Sequence, residues 1–292
     1  MSYEVRKLAT HEFPEELLEI PHPPKEMWVA GTLPPENYFR LVVVGSRKYT
    51  NYGKEVCEKL IADLAGYPIC IISGLALGLD TLAHKAALKA GLPTIAIPGS
   101  GLNEKVLYPA SNHGLAREIL SHGGCLLSEF APDFRATIWS FPQRNRIMAG
   151  IAHAVLVIEA EEKSGTLITS RLATDYNRDV FAVPGSIFSE NSKGTHMLIR
   201  LGATPITSSE DILEALGIES TLNKHHEIKS STKPHIPLTD DEQKIFDLIA
   251  EPIARDLLIY KSGMPITQIT ALLSVMEIKG LIREFMGEIH RN

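Results

Sequence analysis

Leu41-Val42-Val43-Val44-Gly45-Ser46-Arg47, residues 41–47, is the stretch from which the fold is read. Leucine and three β-branched valines run without polar alternation and stop at glycine and serine. A strand covered on both faces reads this way, because helices pack on both sides of a parallel sheet. The same unit recurs. Residues 69–72 are followed by Ser73-Gly74, 94–97 by Pro98-Gly99, and 125–127 by Ser128-Glu129. Residues 154–158 are followed by Glu159 and 180–183 by Pro184-Gly185, and 204–206 form the last run. Helix-like stretches lie between them at 54–65, 79–90, 114–121, 145–151 and 167–177. This alternation predicts a parallel, doubly wound α/β sheet over residues 40–217. Ligands in such sheets bind beyond the carboxyl ends of the strands, where this chain places its glycines and serines.

Outside that region the pattern changes. Residues 1–39 hold Pro14, Pro21, Pro23, Pro24, Pro34 and Pro35, which exclude long helices. They read as a lead-in segment lying against the main domain, with one short helix near 15–19. Residues 218–237 are polar, lose periodicity and end in prolines, so they read as a linker. His225-His226 within it reads as a solvated feature, because no third ligand has a defined spacing to the pair. Residues 238–292 form a third unit. Thr239-Asp240-Asp241-Glu242 resembles a helix N-cap with acids in the first turn. Helices are expected to about 249, over 253–261 and from 265 to about 279, with breaks at Gly263 and Gly280. A hairpin of 281–285 and 288–290 follows across Met286-Gly287, which makes the unit a small winged helix.

The chain of 292 residues fits one large domain or two modest ones, at roughly 100–200 residues each. With 44% hydrophobic and 22% charged residues it buries a core. A formal charge of −6 argues against a basic coat over the whole surface and leaves room for a local basic groove. Cys57, Cys70 and Cys125 are widely spaced and show no metal-ligand pattern, so they read as reduced thiols. No apolar run approaches the ~18 residues of a membrane span. The first residues, MSYEVRKLATHEF, lack a basic-then-apolar leader. A cytoplasmic protein without metal or cofactor is expected.

Four turns carry the chemistry. Gly45-Ser46-Arg47 lets the backbone approach an anion and adds a guanidinium fork, and a tight turn with a surface arginine is an equal reading. Ser73-Gly74-Leu75-Ala76-Leu77-Gly78-Leu79-Asp80 resembles a phosphate-binding turn but lacks the Gly-Lys-Ser/Thr of nucleoside triphosphatases. His84, four residues after Asp80, reads as a packing histidine in preference to a metal ligand. In Phe141-Pro142-Gln143-Arg144-Asn145-Arg146 arginines stand among aromatics. Residues 134–158 hold Arg135, Arg144 and Arg146, together with Trp139, and no acid. That is the composition of a single-strand groove, with a core pair of aromatics as the alternative. Ser164-Gly165-Thr166 is another turn at a helix start. Turns on successive strands of one sheet converge on one edge.

These residues resemble DNA processing protein A, the DprA/Smf family. The landmarks are VVVGSRKYTNYG (42–53), IISGLALGLDTLAH (71–84), IPGSGLNEKVLYPASN (97–112), LLSEF (126–130), FPQRNRIMAGIAHAVLVIEAEEKSGTLITSRLA (141–173) and RDVFAVPGSI (178–187). The likeness runs from about Phe13 to Gly217, and Val275–Ile282 resembles the helix-to-wing junction of the family's winged helix. A helical domain often found ahead of the lead-in is expected to be absent. The resemblance implies an extended Rossmann-like fold, a homodimer formed through the C-terminal part of the sheet, binding of single-stranded DNA, and loading of RecA recombinase during natural transformation. Carried over, Arg47, Arg144, Asn145 and Arg146 contact the strand and Phe141 helps form a base pocket. Gly45, Ser46, Gly74, Gly99, Gly165 and Thr166 line the groove, and Ser100, Gln143 and Ser164 complete the set. Family members tend to have lysine at the positions of Ala110 and Ile138, where Lys105 and Arg135 are the nearby substitutes.

Two rival functions are weighed. Nucleotide phosphoribohydrolases of the LOG type resemble this sheet but need a carboxylate three residues after the turn threonine, where this chain has Thr169. A winged-helix duplex binder needs phosphate neutralisation. Residues 238–292 carry six Lys/Arg and nine Asp/Glu, 6 − 9 = −3, and 265–278 hold no Lys or Arg. A protein-contact or self-association role is therefore expected for that unit.

Overall fold

The computed structural model describes residues 3–218, 239–249, 253–285 and 288–291. The expected linker falls almost wholly outside the described residues, as does the Met286-Gly287 turn. The chain divides into two compact units, Met1–Ser220 and Thr221–Asn292.

In the first unit nine strands form one sheet. They are β1 (Arg6–Lys7), β2 (Trp28–Gly31), β3 (Phe39–Val44), β4 (Ile69–Ser73) and β5 (Thr94–Ala96). β6 (Cys125–Ser128), β7 (Ala154–Val157), β8 (Asp179–Ala182) and β9 (Thr204–Pro205) complete it. Their order is β1-β2-β6-β5-β4-β3-β7-β8-β9. From β3 the chain steps outward through β4 and β5 to β6, then returns to β7 on the other flank of β3. All of these pairings are parallel. The order therefore reverses between β3 and β7, which is a topological switch point. Leu41 stands between Ile71 and Ala154 in register, and Leu41, Val42 and Val43 are fully buried.

The sheet is parallel only from β3 to β9. β2 joins β6 antiparallel, Trp28 opposite Ser128, and β1 joins β2. The lead-in segment thus extends the sheet, beyond merely lying against it. Four residues, WVAG, are too few to show a period between prolines. The short helix α1 (Glu15–Leu18) falls where expected and buries Leu17.

Six more helices follow: α2 (Asn51–Asp63), α3 (Leu79–Lys89), α4 (His113–Ser121), α5 (Ser140–Ile151), α6 (Thr166–Asp175) and α7 (Lys193–Arg200). A seventh, α8 (Ser209–Ala215), starts at a Ser208/Asp211 capping box. α7 and α8 were not anticipated. α5 begins at Ser140, ahead of the expected residue 145, because Pro142 sits in its first turn, where no amide hydrogen bond is lost. One sheet face packs Val42, Val44, Ile72, Val155 and Val157 against Leu17, Ile147, Met148 and Ile151. The other packs Ala96 and Leu126 against Leu115, Ala116 and Ile119 of α4. Cys57, Cys70 and Cys125 are buried free thiols, and burial pushes Cys57 and Cys125 up to about 12.

The second unit holds α9 (Asp240–Leu248), β10 (Ile253–Ala254), α10 (Arg255–Ser262), α11 (Ile266–Ile278), β11 (Ile282–Phe285) and β12 (Glu288–Arg291). The strands pair antiparallel in the order β10-β12-β11. Thr239 Oγ1 accepts from the Glu242 amide at 3.3 Å, and Glu242 Oε2 accepts from the Thr239 amide at 2.9 Å. Ile245, Leu258, Ile269, Leu273 and Met276 form its core. This is a winged helix. No helix among the described residues is long and apolar enough to cross a membrane.

Candidate functional site

Past the carboxyl ends of β3 and β7, at the switch point, a cleft of about 420 Å³ opens. Gly45, Ser46, Arg47 and Lys48 form one wall. Phe141, Arg144 and Asn145 come from the first turns of α5, and Ser164, Gly165 and Thr166 from the start of α6. A hollow of about 30 Å³ adjoins it, sharing Arg47, Phe141 and Arg144 and adding Gly74, Gly99 and Tyr108.

Local chemistry explains each wall. The Ser46 amide donates to Glu159 O at 2.9 Å, and Ser46 O accepts from the Leu79 amide at 3.2 Å. The turn after β3 is thereby held between β7 and α3. Gly78 lies at φ +87°, where its missing Cβ leaves room for the backbone of Ser46 and Arg47. Glu159, fully buried, accepts from the Thr50 amide at 2.9 Å and the Thr50 hydroxyl at 2.5 Å. Thr50 in turn accepts from the Gly53 amide, so one carboxylate fixes the start of α2. The Ser164 hydroxyl accepts from the Thr166 amide at 3.2 Å. The open space above Gly165 leaves the positive end of α6 facing the cleft.

The basic residues nominated from the sequence have unequal fates. Arg47 and Lys48 are exposed, and neither is in an ion pair with a described residue. The Arg47 guanidinium lies 5.8 Å from the Phe141 ring centre, and Tyr108 meets the same ring at 5.7 Å. Arg144 is buried beneath them. Its Nη1 donates to the carbonyls of Gly74 and Ile97, both at 2.5 Å, and its Nε to Asn145 Oδ1 at 3.0 Å. A Cβ on Gly74 would strike that guanidinium, which is why glycine stands there. Asp80, also buried, accepts from the Gly74 and Ala76 amides at 3.1 and 3.3 Å. Burial pushes the Asp80 carboxyl up and the Arg144 guanidinium down, and each charge opposes the other's shift. Arg144 is therefore the floor of the cleft, tying the turns after β4 and β5 to α5.

Of the nominated residues the structure brings together Gly45, Ser46, Arg47, Phe141, Arg144, Asn145, Ser164, Gly165 and Thr166 in the cleft, with Gly74 and Gly99 beside it. It does not bring Ser100, Gln143 or Arg146 there. Ser100 is buried, its hydroxyl accepting from the Tyr108 amide. Arg146 pairs with Glu129 at 2.5 Å and donates to His22 O, and Gln143 lies outside both the cleft and the hollow. Neither Lys105 nor Arg135 lines the cleft or the hollow. Sequence reasoning missed Lys48 and Tyr108 as lining residues, though Lys48 follows Arg47 directly and Tyr108 lies in the 97–112 landmark. His84 is fully buried 2.8 Å from Thr94 Oγ1, and burial pushes it down to about 3. Thr169, at the position where hydrolysis needs a carboxylate, is buried in the cleft wall.

The family model of DNA recombination-mediator protein A matches residues 4–217, and that of the DprA winged helix domain matches residues 229–287. The chain is similar to protein Smf of Escherichia coli, 35% identical over 283 residues, covering 94% of this chain and 74% of that protein. It is 42% identical over 201 residues to the DNA processing protein DprA of Streptococcus pneumoniae, covering 69% and 70%. The solved structure of that Streptococcus protein aligns with a TM-score of 0.67 at 39% identity, covering 72% of this chain and 74% of that one. DNA processing protein A from Helicobacter pylori, solved to describe its single-stranded DNA binding mode, aligns with a TM-score of 0.65 at 28% identity, covering 74% and 98%. A family model that spans the sheet domain and a relative matched along nearly the whole chain leave one assignment: the chain belongs to the DNA recombination-mediator protein A family, the DprA/Smf proteins.

Proposed function

We propose that this chain binds single-stranded DNA without catalysis, protects incoming DNA and loads RecA recombinase onto it during natural transformation. The observation that carries the reading is the pair of cations with no ion-pair partner among the described residues, Arg47 and Lys48, in one cleft with the Phe141 ring, which Arg47 faces, and the positive end of α6. Phosphates meet Arg47 and Lys48 in the field of the positive end of α6. A base leaves water against Phe141 and Tyr108, sequence-tolerantly, because every base has a π-face. Arg144, Asp80 and Asn145 hold the turns in place and need not touch the strand. The single-stranded DNA binding mode described for the Helicobacter relative supports the ligand class.

Phosphoribohydrolase chemistry lacks its carboxylate at Thr169, and both oxygens of Glu159 are engaged by Thr50. Release of adenine from adenosine monophosphate, sensitive to mutation of the cleft, would establish the hydrolytic reading instead. The chain acts in the cytoplasm as a homodimer built on the C-terminal part of the sheet, where Leu201 at the end of α7 is exposed. Two clefts then share one strand and gain from effective concentration.

Fluorescence anisotropy with an unstructured labelled oligonucleotide tests the reading. Wild-type protein binds it, and Arg47→Ala combined with Lys48→Ala binds much more weakly at moderate salt. Equal affinities reject the cleft as the site. Sedimentation of the free chain tests the dimer. Acceleration of RecA filament assembly on protein-coated single strands tests the loading role.

A further inference from the structure

The exposed large apolar side chains of residues 3–218 are not scattered. All but Leu18 and Leu201 lie past the carboxyl ends of β3–β8, the edge on which the cleft opens. The most exposed of them flank the cleft in strand order. After β6, Ile138 is 90% and Trp139 57% exposed, and after β8, Ile187 is 77% and Phe188 92% exposed. The cleft, at β3 and β7, lies between those two strands.

Both groups sit on fixed supports. Trp139 meets Phe134 edge-on at 5.5 Å and Phe130 at 6.0 Å, and those two rings stack at 4.5 Å. Phe134 O accepts from the Gly101 amide at 2.8 Å, tying this loop to the one after β5. On the other flank Ser186 accepts from the Phe188 amide through its hydroxyl at 3.2 Å and from the Ser189 amide through its carbonyl at 3.0 Å. That turn is anchored at both ends. The Tyr52 hydroxyl donates to Pro184 O at 2.6 Å, and Asn191 Nδ2 donates to the carbonyl of Lys48, a cation of the cleft, at 3.1 Å. A ring held in water on an anchored loop, next to a phosphate-binding cleft, has the form of a base platform.

We propose that Trp139 with Ile138, and Phe188 with Ile187, are stacking platforms for the bases of single-stranded nucleic acid leaving the cleft on its two sides. This rests on the single-strand reading above. The strand order β6-β5-β4-β3-β7-β8 spans five steps of ~4.8 Å, about 24 Å. A strand stacked at ~3.4 Å per nucleotide covers that distance with about seven nucleotides. The continuity of the row with the cationic cleft selects nucleic acid over a protein partner, because one occupant must satisfy both cations and apolar rings.

The test uses the full chain and oligothymidylates of three and twelve nucleotides. Trp139→Ala and Phe188→Ala each weaken the twelve-mer about five-fold or more, leave the three-mer unchanged and leave the salt slope unchanged, because no phosphate contact is lost. Phe188→Tyr restores the affinity. In a Trp28→Phe background, where Trp139 is the remaining tryptophan of two, the twelve-mer quenches its fluorescence and the three-mer does not. Variants that bind the twelve-mer as the wild type does, while Arg47→Ala with Lys48→Ala does not, overturn the platforms alone. Wild-type protein that binds neither oligonucleotide overturns the platforms together with the single-strand reading.

Discussion

Salt dependence separates Arg47 and Lys48 from Arg146, three basic residues that sequence composition treats alike. Each phosphate contact on a single strand contributes about 0.7 to the slope of log affinity against log salt. Arg47 and Lys48 are exposed, free of ion pairs among the described residues and in the cleft wall, so two contacts are assigned to them. Arg47→Ala with Lys48→Ala therefore makes the slope shallower by about 1.4. Over a four-fold rise in salt that is about a seven-fold narrowing of the affinity gap between variant and wild type. Arg146→Ala behaves differently. Its guanidinium is committed to Glu129 at 2.5 Å, with 16% and 8% of the two side chains exposed. Removing it leaves the slope unchanged and destabilises the fold by about 1–3 kcal/mol, the penalty of a buried carboxylate without its partner. Anisotropy titrations across a sodium chloride series give the slopes, and thermal unfolding of the same samples gives the stabilities. An Arg146→Ala slope shallower by about 0.7 refutes the assignment, as does a cleft double variant whose line runs parallel to wild type.

Other perturbations follow from the same contacts. Gly99→Ala places a methyl 2.6 Å from the Phe141 ring, so oligonucleotide affinity falls while the unfolding temperature moves little, because Phe141 is half-buried and can swing. Glu159→Gln leaves one of the two Thr50 donors unanswered and lowers stability by about 1–3 kcal/mol, read as a drop of several degrees in unfolding temperature. His84 titrates near 3 in the fold, below its usual value, so the unfolded chain takes the proton first. Its contribution is complete above about pH 6.5 and is lost as pH falls toward 3, near 2 kcal/mol by about pH 5, and His84→Gln removes that part of the acid sensitivity in urea unfolding. The isolated winged helix, with its own core and a net charge of −3 over residues 238–292, fails to retard duplex DNA at moderate salt in a gel-shift assay.

The sheet could be read because a strand buried on both faces leaves an uninterrupted apolar run, and the turn residues after it are forced by backbone geometry. The runs at 41–44, 69–72 and 154–158 became β3, β4 and β7, the three strands that build the switch point and the cleft. Short strands between prolines leave no such run, so β1 at the sheet edge and β2 beside it escaped. The roles of the arginines escaped for another reason. Whether a guanidinium is free to meet a phosphate depends on partners distant in sequence. Glu129 is 17 residues from Arg146, and the carbonyls of Gly74 and Ile97 are 70 and 47 residues from Arg144. One part of this was nonetheless available locally. Once α5 is started at Ser140, Arg144, Met148 and Ile151 fall at i, i+4 and i+7, the spacing of a single buried stripe, and all three are buried. Starting the helix at residue 145 hid that stripe, and with it the reason Arg144 turns inward. Arg47, outside any helix and at a strand end, has no stripe to join. That difference in backbone setting, more than any difference in charge, is what leaves Arg47 available to a ligand and makes Arg144 the support beneath it.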